Sequence, residues 1–209
     1  MKSPNIEKTE PFFRASWDEW QEWPTVKHYY YAGRGARSKN ATALPFTTFA
    51  KLAEHLEQNR YQVPFTRDEW AAMSAAERRD FKENDRGLPW LIAGVPQSPA
   101  EGNTRGLKVC THSANLLILD CDQEEPAMRL REQLMHRRFV HSFICYETPS
   151  GGLRVLIYTH QFPAEKYQSG VCFTILRELK MRLQDFDPVS KTINQKMFYP
   201  VRFKDEEGL

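Results

Sequence analysis

The chain of 209 residues is 41% hydrophobic and 27% charged, with a formal net charge of +2. That length supports one domain, or one domain with a small lobe, around a sizeable core. The composition excludes wholesale disorder, and the near-balanced charge excludes a uniformly basic nucleic-acid coat. The longest apolar runs are strand-sized, too short for a membrane span, and the opening M-K-S-P-N-I-E-K-T-E lacks the apolar stretch of a secretory signal. The expectation is a cytoplasmic protein with no membrane partner.

In chain order, Trp17, Trp20 and Trp23 recur every three residues, which predicts one face of a short helix stopped by Pro24. Between Trp23 and Ala53 there is no acid, while Lys27, Arg34, Arg37, Lys39 and Lys51 fall there beside Tyr29, Tyr30 and Tyr31. Cations interleaved with aromatics and glycines suit a strand that meets phosphates and stackable bases. A strand followed by a basic, flexible loop fits the same residues. Thr48 to Leu56 reads as an amphipathic helix with a threonine cap. Thr66-x-x-Glu69 and Ser74-x-x-Glu77 are capping boxes. They predict a charged, surface helical insertion over about 66–85. Residues 89–94 read as a strand and 95–106 as a loop.

The second half alternates between strands and helices. The run Leu116-Leu117-Ile118-Leu119 predicts a buried strand, and it ends in Asp120-Cys121-Asp122. Strand side chains alternate, so Asp120 and Asp122 share a face and Cys121 points away. Two carboxylates so placed repel each other, and a divalent cation resolves the repulsion. The pair is therefore a candidate for phosphoryl-transfer chemistry. A helix is predicted from Glu124-Glu125-Pro126 to about Arg138, with acids at its start and cations at its end. Strands over 139–146 and 153–158 flank the turn Thr148-Pro149-Ser150-Gly151-Gly152, which predicts a hairpin. A long helix from Pro163 through Val171, Ile175, Leu179 and Leu183 leads to Asp185-Phe186-Asp187-Pro188. Met197-Phe198-Tyr199 then reads as a last short strand.

The four cysteines, Cys110, Cys121, Cys145 and Cys172, include no C-x-x-C pair, so neither a zinc ribbon nor a disulfide framework is expected. Cys110 and His112 would supply two ligands and no second pair. None of the six histidines is spaced two from another, so the H-x-H ligand pair of many relaxases is absent.

The order of Asp120-x-Asp122, Ser150-Gly151-Gly152-Leu153-Arg154 and Phe186-Asp187, with Lys196 ahead of Met197-Phe198-Tyr199-Pro200, resembles the archaeo-eukaryotic primase superfamily. The likeness is to its primase-polymerase branch of plasmids, phages and mobile elements, over about residues 89–203. That resemblance implies an α+β fold with an RRM-like mixed or antiparallel sheet flanked by helices. A catalytic lobe would span 89–209 and an N-terminal α/β lobe 1–88, within one domain. It implies nucleotidyl transfer: a 3′-hydroxyl attacks the α-phosphate of a nucleoside triphosphate on a single-stranded DNA template. Asp120, Asp122 and Asp187 would be the catalytic ligands of two Mg²⁺ or Mn²⁺ ions, roughly 3.5–4 Å apart in sites of this kind. Ser150, Gly151, Gly152 and Arg154 would cradle the triphosphate, with Lys196 or Arg202 as a second cation. Tyr30, Arg34, Arg37, Lys39 and Arg105 would contact the template. A helicase domain or protein is a further partner of such enzymes. The family's second motif usually ends in histidine. Arg154 keeps a phosphate contact there and gives up proton transfer. A catalytically reduced replication initiator or nucleic-acid-binding module of the same fold is the alternative, and a metal-dependent nuclease is a third class.

Overall fold

The computed structural model describes residues 13–16, 30–37, 41–44, 48–85, 87–96, 110–135, 142–161, 163–166, 172–187 and 192–206. These residues form an α+β fold of small, mainly antiparallel sheets and five α-helices. The predicted Trp17–Trp23 helix lies outside the described residues.

The central sheet has the strand order β1-β9-β10-β8, all antiparallel. Its outer strand β8 (Leu116–Cys121) is buried along its whole length, as the apolar run requires. Strands β9 (Phe143–Glu147) and β10 (Leu153–Tyr158) are the expected hairpin. Strand β1 (Phe13–Ser16) completes the sheet on β9, and nothing in its pattern announced it. Helix α4 (Glu124–Met135) contacts β8 and β10 and turns Ala127, Leu130 and Leu134 into the core.

A second sheet has the order β11-β5-β2-β3. It joins Met197–Phe198 (β11), Pro89–Ile92 (β5), Tyr31–Arg34 (β2) and Thr42–Ala43 (β3). Two pairs complete the set. Tyr61–Gln62 (β4) runs parallel to Val201–Arg202 (β12), and Gly94–Pro96 (β6) is antiparallel to Cys110–Ser113 (β7). Among the described residues, three of the four sheets draw strands from both sides of residue 88.

Helix α1 (Phe49–Gln58) starts at Thr48, whose hydroxyl accepts from the Lys51 N–H at 3.2 Å, and buries Phe49, Leu52, Ala53 and Leu56. Helices α2 (Arg67–Ala72) and α3 (Ala75–Asn84) both begin with a reciprocal capping box, at Thr66/Glu69 and Ser74/Glu77. The insertion they form is pinned by Trp70, which packs with Val63, Val201 and Phe203 in a small core of its own.

The long helix expected from Pro163 through Leu183 stops before Leu183. Pro163 bridges His112, and α5 is described over Cys172–Glu178. It ends in a Schellman turn: Lys180 adopts φ +53°, its N–H reaches the Arg177 carbonyl, and the Met181 N–H reaches Leu176. Leu183 therefore sits in a separate 3-10 turn, Leu183–Asp185. Among the described residues no helix is long and apolar enough to cross a membrane.

Candidate active site

One cavity of about 200 Å³ lies where the central sheet, the second sheet and the helical insertion meet. Asp120, Asp122 and Asp187 all line it, with Thr148, Pro149 and Ser150 of the hairpin turn, Arg154, Lys196 and Lys82. Carboxylates from two distant stretches of the chain thus converge beside the glycine turn.

Strand alternation accounts for the first two. Asp120 and Asp122 face the cavity, while Cys121 between them enters the core and donates its thiol to the Asp185 carbonyl at 3.1 Å. Burial, reinforced by the neighbouring aspartates, pushes the Cys121 thiol up to about 12. Asp187 arrives by a backbone bond, its N–H donating to the Asp120 carbonyl at 2.8 Å. The two acids of Asp185-Phe186-Asp187 divide their roles. Asp185 is buried and accepts from the Arg182 N–H at 2.8 Å, with the Arg129 guanidinium 3.4 Å away. Burial works to raise its pKa, but the bonds from Arg182 and the charges of Arg182 and Arg129 hold it below the ordinary carboxylate range. Only Asp187 reaches the cavity.

The hairpin turn serves the site differently from the expected anion cradle. The Gly151 N–H donates to the Thr148 carbonyl at 3.0 Å and the Gly152 N–H to the Thr148 hydroxyl at 3.1 Å. Both donors are used inside the turn. Gly151 supplies a positive φ of +83°. Gly152 supplies close approach: a Cβ there would collide with the Cys121 carbonyl and stand 2.8 Å from Asp122 Cα. The glycines bring the turn against the end of the aspartate strand, leaving Ser150 exposed at the rim.

Arg154 is 8% exposed and is bound on two sides. One Nη pairs with Asp120, and the other donates to the Phe198 carbonyl at 2.8 Å. The Tyr146 hydroxyl donates to the same carbonyl at 3.0 Å, and the guanidinium lies 6.0 Å from the Tyr146 ring. Desolvation alone would lower the Arg154 pKa; Asp120 and Tyr146 more than compensate. Arg154 thus ties β10 to β11 as well as facing the cavity. Asp122 remains exposed, yet desolvation by the cavity walls and the Asp120 charge raise its pKa. Asp187 adds to the rise, and Arg154 and Lys82 oppose it.

Other expected contacts separate. Lys196 lines the cavity, donates to the Ala36 carbonyl and lies 4.9 Å from the Trp90 ring. Arg202 does not line it: its neighbour Val201 does, and strand alternation turns Arg202 away. Tyr30 is fully buried in the main core and cannot stack on a template base. Its burial raises the phenol's pKa. Arg34 is exposed and donates to the Gly87 carbonyl at 3.3 Å, and Arg37 pairs with Glu83 at 3.7 Å on the surface. Lys39 and Arg105 lie outside the described residues. Lys82 and Trp70 carry no mark of a site in the sequence alone. Nothing distinguishes Lys82 from its charged neighbours until α3 is docked.

Among the described residues no group of three or more His, Cys, Asp or Glu side chains is arranged to hold a metal ion. Mg²⁺, however, is usually held by one or two carboxylates plus substrate phosphates, not by an all-protein cage. Asp122 and Asp187, oxygen donors on an open cavity, fit that mode, while Asp120 is engaged by Arg154. No family model, curated protein or solved structure matches this chain.

Proposed function

We propose that the protein is a DNA-directed nucleotidyltransferase of the primase-polymerase class, built on that family's RRM-like sheet and acting in replication of a plasmid, phage or mobile element. One observation carries the reading. Asp120, Asp122 and Asp187 gather on one cavity with the hairpin turn, and the Asp187 N–H to Asp120 carbonyl bond joins the first and third motifs. Asp122 and Asp187 would hold divalent metal, Mg²⁺ or Mn²⁺, together with the phosphates of the incoming nucleoside triphosphate. Bound there, the metal would stabilise the attacking and leaving oxygens. The chain's own groups bind and orient. Ser150 offers a hydroxyl at the rim, Lys196 a positive charge, and Arg154 holds Asp120 and the two sheets in register. No side chain need act as a tuned base when positioning and charge lower the barrier.

A second reading has its own support. The Arg154–Asp120 pair engages one of the three carboxylates, which suits a catalytically reduced module that binds nucleotide or single-stranded DNA without turnover. One gel separates the readings. The protein is incubated with labelled primer–template or bare template, Mn²⁺ or Mg²⁺, and ribo- or deoxynucleotides. Extension by the wild type, lost in Asp122→Ala and Asp187→Ala variants that still bind single-stranded DNA, supports the enzyme. Binding without extension in the wild type supports the module. Shortening of the strand without added nucleotide identifies a nuclease.

A further inference from the structure

We propose that Lys82 binds the phosphate tail of the nucleotide at the aspartate cavity, so that α3 forms a wall of the site. This deepens the reading above and rests on it.

Helix α3 buries none of its ten residues fully, and it is held to the small core around Trp70 through Phe81. Its last turn presses the half-buried Phe81 edge-on against Phe65 and Trp70, with ring centroids 5.2 and 5.7 Å apart. That contact sets the helix rotation and delivers the next residue, Lys82, to the cavity that Asp120, Asp122, Asp187 and Lys196 line. The Lys82 ammonium stands 6.0 Å from the Trp70 ring centroid. It is half-buried and, among the described residues, makes no hydrogen bond or close ion pair. A desolvated ammonium in that state favours an anionic oxygen as ligand. Trp70 lines the same wall.

The charge layout and the size of the cavity select the ligand. Lys82 and Lys196 line one cavity with three carboxylates, a set of groups suited to phosphates that meet both metal and ammonium groups. At about 200 Å³ the cavity is smaller than the roughly 300–1,000 Å³ of sites that engulf a whole ligand. It takes a phosphate chain and leaves sugar and base at the mouth, near Ser150.

Calorimetric titration of the full chain at fixed Mn²⁺ tests this, with dATP, inorganic tripolyphosphate, deoxyadenosine and a single-stranded oligonucleotide as probes. Lys82→Met is expected to weaken dATP and tripolyphosphate by about tenfold or more. Lys82→Glu is expected to abolish both, and Lys82→Arg to stay within about threefold of the wild type. Deoxyadenosine and oligonucleotide binding are expected to stay unchanged, with melting temperatures of the variants near that of the wild type. Unchanged dATP and tripolyphosphate affinity in Lys82→Met and Lys82→Glu overturns the proposal. So does a loss confined to the oligonucleotide, which would place Lys82 on the DNA backbone. In either case the nucleotidyltransferase reading survives. A wild type that binds neither dATP nor tripolyphosphate overturns both.

Discussion

Arg154 and Asp120 stand directly opposite each other in the β10–β8 ladder, and their side chains form an ion pair that is almost wholly removed from water. Tyr146 is the partner of Arg154 on the other side, so one row across three strands reads Asp120, Arg154, Tyr146. Taking one member of such a pair away strands the other in a low-dielectric site. Asp120→Leu or Arg154→Met alone is expected to cost about 3–5 kcal/mol, while the double substitution costs much less than the sum. A double-mutant cycle by urea denaturation measures the coupling. Additive losses would refute it.

The two glycines of the turn are expected to fail differently. Gly151→Ala meets open space and pays only for its left-handed backbone, about 1–2 kcal/mol. Gly152→Ala collides with the backbone at Cys121 and Asp122, so the turn must lift away from the aspartate strand. Its loss of stability is expected to exceed that of Gly151→Ala, and nucleotide binding is expected to fall with it. Thermal melts and dATP titrations of the two variants check the order.

Asp122 and Asp185 are expected to move stability in opposite directions with pH. The folded pKa of Asp122 is raised, so the native state holds its proton more tightly than the unfolded chain. Its contribution is favourable in acid and is lost as pH rises through the folded value. The folded pKa of Asp185 is lowered, so its contribution is present above the unfolded value and is lost as pH falls through the folded one. At neutral pH, Asp122→Asn is therefore expected to raise the melting temperature and Asp185→Asn to lower it. Both differences should shrink toward acid pH. Melting curves from neutral to acid pH test the signs.

The insertion's caps carry a further expectation. Ser74→Ala removes the hydroxyl that accepts from the Glu77 N–H, at about 1 kcal/mol. The resulting fraying would loosen the helix that presents Lys82. Hydrogen exchange in α3 is expected to quicken while β8 and β10 keep their protection; equal loosening of the central sheet would count against an insertion that opens independently.

Local chemistry was readable from the order of residues alone. The apolar run before Asp120 made β8, the hydroxyl–glutamate pairs made both capping boxes, and the proline–glycine turn made the β9–β10 hairpin. Each depends on interactions within a few residues, so each is written in neighbouring letters. Alternation along β8 likewise put Asp120 and Asp122 on one side. The end of α5 ahead of Leu183 was not legible, because a Schellman turn at a lysine carries no glycine to announce it. Register and docking were beyond reach as well. Tyr30 looks like a base-stacking residue until the main core closes over it, and Lys82 looks like any surface lysine until Phe81 meets Trp70. That Arg154 opposes Asp120, and that Asp187 bonds to the same strand end, are long-range facts set by packing and strand pairing. No stretch of sequence contains them, since the groups concerned meet only when the whole chain has folded.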